Sequence, residues 1–238
     1  NIKLRKIIEK HQPEIVFHLA AQPIVNEAYL NPVQNFKTNI MGTINLFESL
    51  RNSSNLKDII IVTSDKCYEP SKIKKIYKEN DKLGGNEPYS ASKAAVEIIT
   101  KSYFRTYFSN INVSTVRAGN VIGGCDFSKN RIVPDIIYSF INNSMLSIRN
   151  PNYIRPWIYV LDVVFGYIHL PYYNKLRKKT DSFNNWNFGP NQNNNKNVKN
   201  IVLEFRKHIN FNYSFKKDID IYEDEFIFLN SDKIRKTK

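Results

Sequence analysis

Short apolar runs typical of buried strands alternate with segments of helical periodicity through the first half of the chain. The three strand-like runs are Glu14–Leu19, Asp58–Thr63 and Asn112–Arg117. The helix-like segments are Ile2–His11, the stretch from Pro32 through Leu50, and the stretch from Tyr89 to about Phe108. Parallel strands need a crossover between them, and a helix usually supplies it. The sequence therefore predicts an α/β fold with a doubly wound parallel sheet.

The pattern loosens after about Asn120. Helices are predicted from Arg131 to Asn142 and from Val160 to about Tyr172. The Asn-rich stretch from Asn184 to Asn200 is predicted to form turns around a short strand, Trp186–Phe188. We therefore expect a sheet-bearing domain over residues 1–120 and a smaller, mainly substrate-facing region over residues 121–238.

The glycine-rich turn that opens a Rossmann-like, dinucleotide-binding sheet is absent from the sequence. Such sheets begin with a strand, a Gly-x-Gly-x-x-Gly turn and a helix whose N-terminus meets the pyrophosphate. This chain has eight glycines, none in that context, and it begins in a helix that leads into a buried strand. We expect the sheet to lack its first βαβ units.

Composition narrows the class of protein. The net charge is +13, but the lysine clusters lack interleaved aromatics and recognition-motif spacing, so we predict no nucleic-acid binding. A positive field would instead attract an anionic substrate such as a sugar nucleotide. No apolar run approaches the length of a membrane span, no signal peptide is recognisable, and Cys67 and Cys125 are too few for a disulfide scaffold. The four histidines have no metal-ligand spacing. We predict a cytoplasmic protein without a membrane segment or a metal.

Tyr89 and Lys93 form a Tyr-x-x-x-Lys motif at the start of a predicted helix. A spacing of four places both side chains on one helical face. An ammonium group beside a phenol stabilises the phenolate, so the tyrosine could act as a base. The motif follows a buried strand that ends in the hydroxyl residues Thr63 and Ser64. The alternative is a surface pair on an amphipathic helix.

Several further motifs occur in a fixed order along nearly the whole chain. They are His18–Gln22, Thr38–Thr43, Thr63–Tyr68, Pro88–Lys93, Arg117–Gly123, Ile148–Pro151, Ile154–Trp157 and Trp186–Pro190. Together they resemble the extended short-chain dehydrogenase/reductase family of NAD-dependent epimerases and dehydratases. Within that family they are most similar to the 4,6-dehydratases that act on CDP-glucose.

The resemblance implies NAD as cofactor and a nucleotide sugar as substrate. It implies oxidation at C4, elimination of water across C5 and C6, and return of the hydride to C6. The implied catalytic residues are Ser64, Asp65, Lys66, Tyr89 and Lys93. The implied cofactor-binding residues are Leu19, Ala20, Ala21, Gln22, Asn39, Thr63, Tyr89, Lys93 and Val121. The implied substrate-binding residues are Asn120, Arg131, Arg155 and Asn187.

The resemblance also implies a homodimer that pairs through the Pro32–Leu50 helix and the Tyr89 helix, and a chain truncated at its C-terminus. Two positions depart from the pattern: Cys125 replaces an expected glycine, and Asn26 an expected arginine. Three alternatives stay open. Asp65 and Lys66 could be an ordinary surface pair, the enzyme could act on another base or sugar or be an epimerase, and the chain could be an inactive remnant that only binds a partner.

Overall fold

The computed structural model describes residues 2–178, 181–191, 196–216 and 224–237. The helices are α1 (Ile2–His11), α2 (Val25–Leu30), α3 (Pro32–Phe36), α4 (Gly42–Leu50), α5 (Pro88–Tyr107), α6 (Ile132–Ile141), α7 (Val160–Leu176), α8 (Val198–Arg206) and α9 (Asp232–Arg235). The strands are β1 (Ile15–His18), β2 (Asp58–Val62), β3 (Ile76–Tyr77), β4 (Asn112–Ala118), β5 (Asn120–Ile122), β6 (Leu146–Arg149), β7 (Ile154–Arg155), β8 (Trp157–Tyr159), β9 (Phe183–Phe188), β10 (Lys196–Asn197), β11 (Tyr213–Lys216) and β12 (Phe228–Leu229).

The central sheet is parallel and has the strand order β1-β2-β4-β9. The predicted parallel sheet is confirmed, but the predicted strand at Trp186–Phe188 is too short. Strand β9 begins at Phe183 because it pairs with β4 from Val113 to Ala118. The sheet thus takes its last strand from beyond residue 120, and the division at that residue stays a prediction. Residues 192–195 of the predicted Asn-rich turns lie outside the described ranges.

Helices cover both faces of the sheet, as the doubly wound prediction requires. On one face, Ile59 and Ile61 of β2 pack with apolar residues of α1, α4 and α5. On the other, Ile60 packs with Val116 and with Val163 and Leu170 of α7. Adjacent residues of a strand point to opposite faces, so the apolar run of β2 serves two cores.

A second, smaller cluster of buried apolar residues lies outside the central sheet. Ile136 of α6, Ile148 of β6 and Val202 of α8 form its apolar core, and β6 pairs in parallel with β11. The sequence did not predict α8 or these strands. Strands of four residues are too short to show a periodicity, and α8 begins in the Asn-rich stretch that resembles a turn.

The predicted helix from Pro32 through Leu50 contains a π-helical turn, Lys37–Met41, between α3 and α4. A π turn inserts a residue without ending the helix, which composition does not reveal. Its central residue, Asn39, is buried. No helix in the described part of the chain is long and apolar enough to cross a membrane.

Candidate active site

Most of the predicted site residues follow the carboxyl ends of the parallel strands. Leu19 follows β1, Thr63 and Ser64 follow β2, and Asn120 lies two residues past β4. Tyr89 lies in the first turn of α5, which packs against the 3-10 turn Asp65–Cys67 that comes after β2. Open parallel sheets bind ligands at this edge, because the loops that follow neighbouring strands converge there.

Glu87 caps α5 and fixes the position of Tyr89. Its carboxylate accepts hydrogen bonds from the backbone N–H groups of Tyr89 (2.7 Å) and Ser90 (2.8 Å), and from the Ser90 hydroxyl. Pro88 occupies the first helical position, where a missing N–H costs no hydrogen bond. The sequence analysis did not single out Glu87, although an acidic residue just before Pro-Tyr is a recognisable helix-start signal.

Tyr89, Ser64 and Lys93 lie together, and burial dominates the acidity of the tyrosine. Burial raises the pKa of Tyr89 to about 12, while a hydrogen bond with Ser64 and the charge of Arg131 act in the opposite direction. The Lys93 ammonium lies 5.9 Å from the centre of the Tyr89 ring and donates to the Val62 carbonyl (3.2 Å). Burial lowers the pKa of Lys93 to about 8. In the protein alone, burial of Tyr89 thus outweighs the phenolate stabilisation predicted from the neighbouring Lys93.

Asp65 is a buried carboxyl group with one free oxygen. Oδ1 accepts a hydrogen bond from Ser64 Oγ (2.9 Å), whereas Oδ2 is buried without a hydrogen-bond partner among the described residues. Burial raises the pKa of Asp65, and the bond from Ser64 and the charges of Lys66 and Arg155 oppose this shift. A surface Asp–Lys pair, the alternative for this motif, is therefore excluded. A carboxyl group whose pKa is raised keeps its proton to higher pH and can act as an acid.

Lys66 is partly exposed and lies beside Asp65 in the 3-10 turn. Its backbone N–H donates to Ser64 Oγ (3.2 Å). Strand β2 ends at Val62, one residue before the end of the predicted strand-like run Asp58–Thr63, and the chain then passes into the 3-10 turn. The transition frees Asp65 and Lys66 from the strict alternation of a strand.

The segment after β1 is held by Asn39 of the π turn. Gln22 N donates to Asn39 Oδ1 (2.7 Å), and Asn39 Nδ2 donates to the Gln22 carbonyl (3.1 Å) and to Ser92 Oγ (2.9 Å). Asn39 therefore supports the Leu19–Gln22 segment and the Tyr89 helix from within the protein. Leu19 and Ala20 are exposed, and Ala21 and Gln22 are partly buried.

His18, at the end of β1, is linked to Asn39 through Thr43. Its Nε2 lies 3.1 Å from Thr43 Oγ1, and Thr43 donates to the Asn39 carbonyl (2.7 Å). Burial and, to a smaller extent, the charge of Lys93 lower the pKa of His18 to about 4. The folded protein therefore holds this histidine neutral.

We expect His18 to make the stability of the fold depend on pH. An unfolded histidine titrates near 6.5, so between that pH and about 4 protons bind the unfolded chain more tightly than the folded one. Acidification through this window should lower the free energy of unfolding by about 2–3 kcal/mol through this residue. Urea unfolding of the wild type and His18→Gln at several pH values checks this. The variant should lose this part of the pH dependence, whereas exposed His208→Gln should keep it; an unchanged profile in His18→Gln contradicts the assignment.

The four predicted substrate-binding residues lie in different environments. Asn120 is partly exposed at the start of β5. Arg131 lies at the N-cap position of α6 without a side-chain capping bond, and its Nη1 donates to Asp126 Oδ2 (3.1 Å). Arg155 is buried, donates to the backbone carbonyls of Ile154 (3.0 Å) and Asp224 (2.7 Å), and lies near enough to Asp65 to affect its pKa.

Asn187 is not available to a substrate, which corrects the expectation for this residue. It is fully buried, its Oδ1 accepts from the Tyr68 hydroxyl (2.6 Å), and its Nδ2 donates to the Tyr77 carbonyl (3.1 Å). Both polar atoms of the side chain are thus used to hold the protein together.

Two other predicted contacts also serve the fold. Thr63 is buried, and its hydroxyl donates to Glu97 (2.5 Å). Val121 packs against the apolar cluster beneath α7. Sequence analysis missed Glu97 and its partner Arg117, which form a buried bidentate ion pair (2.7 and 2.8 Å). An arginine inside a fully buried strand was the available signal, because such a charge requires a partner.

The two departures from the family pattern have visible consequences. Cys125 has a φ of +60°, a left-handed conformation that glycine adopts without strain. Asn26, in α2, accepts a hydrogen bond from Arg149 Nη1 of β6 (3.4 Å), so this position contacts an arginine although it lacks one itself.

Comparisons with known proteins identify the family to which the chain belongs. The family described as "NAD dependent epimerase/dehydratase family" matches residues 1–184. The chain is 42% identical to CDP-glucose 4,6-dehydratase of Salmonella typhimurium over 208 residues, covering 84% of this chain and 57% of that protein. It is 30% identical to dTDP-D-glucose 4,6-dehydratase of Dictyostelium discoideum over 175 residues, or 69% of this chain and 39% of that protein.

Solved structures show the same fold. UDP-glucose-4-epimerase from Stenotrophomonas maltophila, with bound NAD and formylated UDP-arabinopyranose, superposes with a TM-score of 0.85 at 17% identity, over 99% of this chain and 73% of that one. UDP-glucose 4-epimerase from Thermotoga maritima, with UDP-glucose, gives 0.82 at 22% identity, over 99% and 74%. The chain spans little more than half of the Salmonella protein and less of the Dictyostelium one.

Proposed function

Because the chain belongs to the NAD dependent epimerase/dehydratase family, we propose that it carries the reacting groups of a sugar-nucleotide 4,6-dehydratase. The proposed reaction converts CDP-glucose to CDP-4-dehydro-6-deoxyglucose and water. The observation that carries the proposal is Asp65, a buried carboxyl with raised pKa beside Ser64 and Tyr89, one of whose oxygens has no hydrogen-bond partner within the described ranges. Loss of water from a sugar needs such an acid, whereas inversion at C4 does not. The 42% identity to the Salmonella enzyme supports the choice of CDP-glucose.

The residues present fit NAD. Lys93 is buried, yet its ammonium makes a single hydrogen bond, to Val62, within the described ranges, which leaves donors for ligand hydroxyls. The exposed backbone at Leu19 and Ala20, followed by the small Ala21, leaves room for a cofactor along the end of β1. We assign Leu19–Gln22 and Lys93 to hold it, with Asn39 and Thr63 as support. When bound, NAD accepts a hydride, returns it, and places a positive ring in the site.

Tyr89 is the proposed base for the first step. Its phenolate takes the proton of the sugar 4-hydroxyl while a hydride leaves C4, so that C4 becomes a ketone. Ser64 hydrogen-bonds the reacting oxygen of Tyr89 and keeps it in place. The pKa of about 12 means that the phenolate needs added positive charge, which Lys93 and the bound cofactor supply.

Asp65 and Lys66 are the proposed pair for the elimination. The C4 ketone acidifies the C5 hydrogen, and Lys66 takes that proton. Asp65 gives its proton to the 6-hydroxyl, which leaves as water, and a double bond forms between C5 and C6. The hydride then returns to C6 and a proton to C5, so the reaction releases one water without net oxidation. Because Asp65 and Lys66 are adjacent, the acid can protonate the oxygen that leaves C6 while the base takes the proton from C5.

Arg131 and Arg155 are the proposed contacts for the diphosphate. Planar guanidinium groups bind phosphate oxygens in pairs. The charge of Arg131 acts on Tyr89 and that of Arg155 on Asp65, so both arginines lie near the reacting groups. Asn120, at the start of β5, is proposed to contact the sugar or the diphosphate.

Turnover of a panel of nucleotide sugars tests the proposal. Purified protein with NAD is incubated with CDP-, dTDP-, UDP- and GDP-glucose, and products are followed by mass spectrometry. We expect loss of water from CDP-glucose at the highest kcat/KM. Loss of water from another of the four would show that the substrate carries a different nucleotide. Inversion at C4 without loss of water would show an epimerase instead. NAD binding without any turnover would favour the inactive remnant.

Lys66 has a prediction of its own. Lys66→Met should reduce kcat by about 10²–10⁴-fold, because positioned proton transfer contributes a factor of that size. It should also suppress incorporation of solvent deuterium at C5, measured by running the reaction in heavy water. Lys72→Met, a change at an exposed lysine of the next loop, serves as the control. Full turnover by Lys66→Met would remove this residue from the mechanism.

We also propose that the protein forms a homodimer through α3, α4 and α5. Exposed apolar side chains on α3, the π turn and α5 support this: Val33 is 78%, Met41 47% and Ile98 61% exposed. Light scattering measures the mass in solution, and Val33→Asp with Ile98→Asp should shift it to that of a monomer. A wild-type monomer contradicts the proposal.

We place the protein in the cytoplasm. Cys67 and Cys125 are both free thiols, which a reducing compartment maintains. Fractionation of the source cells is the direct measurement.

A further inference from the structure

The segment that carries Asp65 and Lys66 is bracketed by one buried ion pair. Glu97 lies one helical turn after Lys93 on α5 and is 2% exposed. Arg117 of β4 is also 2% exposed, and its Nε and Nη2 donate to the two Glu97 oxygens at 2.8 and 2.7 Å. The proposed mechanism uses neither residue.

Glu97 holds the residue that precedes the segment. Its carboxylate accepts a hydrogen bond from the Thr63 hydroxyl at 2.5 Å, and further bonds from Thr115 (2.7 Å) and Asn185 (3.0 Å). One carboxylate thus joins helix α5 to the end of β2, to β4 and to β9. Lys93 adds a second link between α5 and the end of β2, through the Val62 carbonyl.

Arg117 holds the residue that follows the segment. Its Nη1 donates to the Tyr68 hydroxyl (2.9 Å) and to the Glu79 carbonyl (2.8 Å), and the guanidinium lies 4.9 Å from the centre of the Tyr68 ring. The Tyr68 hydroxyl in turn donates to Asn187. Residues 64–67 therefore run between two anchors that are joined by an ion pair.

We propose that Glu97 and Arg117 are a pair of positioning residues that fix Ser64–Cys67 at both ends and so hold Asp65 and Lys66 against Tyr89 and Lys93. The catalytic meaning of this placement rests on the proposed dehydratase function. The anchoring of the segment does not rest on that function, because it involves only residues of the protein itself. A buried, fully hydrogen-bonded ion pair suits this task, since it fixes a geometry even where it adds little to stability.

The chain contains a reporter for this segment. Cys67 is completely buried within it, whereas Cys125 is exposed, so a thiol reagent should label Cys125 at once and Cys67 only when the segment opens. Labelling needs neither substrate nor cofactor. Absence of dehydratase activity would therefore overturn the proposed function and leave this inference testable.

The experiment compares Cys67 labelling rates in four variants. Glu97→Gln breaks the ion pair, and Thr63→Val and Tyr68→Phe each release one anchor while the pair stays. Asp58→Asn is the matched control, because it makes the same change at a buried carboxylate bonded to Asn174 (2.8 Å) at the other end of β2. Rates are compared at denaturant concentrations where the variants have equal global stability.

We expect Glu97→Gln to accelerate Cys67 labelling at least about tenfold relative to Asp58→Asn, and the single-anchor variants to accelerate it by smaller factors. If activity is present, kcat should fall more in Glu97→Gln than in Asp58→Asn. Equal labelling rates for Glu97→Gln and Asp58→Asn would overturn the proposal. If Glu97→Gln does not fold, unchanged rates in both Thr63→Val and Tyr68→Phe would do so.

Discussion

Replacing Tyr89 with phenylalanine should lower kcat for dehydration of CDP-glucose by about 10²–10⁴-fold, the usual contribution of a positioned acid or base. Removal of the hydroxyl leaves the 4-hydroxyl proton without an acceptor, so the first step is blocked. KM should change little, because the ring stays in its buried place and the predicted phosphate contacts are untouched. Steady-state kinetics on the purified variant measures both quantities.

The fold of Tyr89→Phe should persist, because Glu87 caps α5 through backbone N–H groups that the substitution leaves unchanged. Tyr138→Phe, at a 65% exposed tyrosine of α6, is the control for loss of a hydroxyl outside the site. Turnover by Tyr89→Phe within a few-fold of the wild type would show that another group takes the proton.

Replacing Asp65 with asparagine should lower kcat by about 10²–10⁴-fold and at the same time stabilise the fold at neutral pH. The loss of activity follows because asparagine has no proton for the departing 6-hydroxyl. The gain in stability follows from the raised pKa of Asp65: its contribution is fully present below the unfolded pKa and is lost as pH rises through the folded one. At neutral pH folding must either bury the charge of Asp65 or bind a proton to it, and the amide removes this cost.

Asp65→Asn should lose activity but gain stability, whereas a variant with a damaged structure would lose both. Urea unfolding at neutral pH and steady-state kinetics provide the two measurements, with exposed Asp162→Asn as the control. In heavy water, Asp65→Asn should still incorporate deuterium at C5, because Lys66 and Tyr89 are intact. Wild-type turnover, or a loss of stability that accounts for the loss of activity, would contradict the role of Asp65.

Local patterns were sufficient to predict the parallel sheet and to single out Tyr89 and Lys93. The apolar run of β2 identified a strand covered on both faces, and the spacing of Tyr89 and Lys93 identified a helix face. The triplet Ser64, Asp65 and Lys66 was assigned to the site through the resemblance to the family, because its spacing alone left an ordinary surface pair open. The strand and the helix face depend on residues close in sequence, so periodicity and spacing reveal them.

The electrostatic environment of Tyr89 could not be predicted from the sequence. Lys93 beside Tyr89 predicted a stabilised phenolate, but burial raises the pKa of Tyr89 to about 12 in the protein alone. Desolvation depends on every element packed around a group, and the spacing of two residues does not determine that packing.

The sequence by itself determined the main strands and helices of the parallel sheet, the order of the motifs and the residue types available for proton transfer. Only the tertiary structure decided that Asp65 is buried with one oxygen unpartnered among the described residues, that Asn187 serves the fold, and that Glu97 and Arg117 bracket the triplet. The hydrogen bond between Tyr68 and Asn187 joins residues 119 positions apart. Such partners meet only because β9 lies beside β4 in one register. Strand order and register arise from packing across the whole sheet, so no local pattern encodes them.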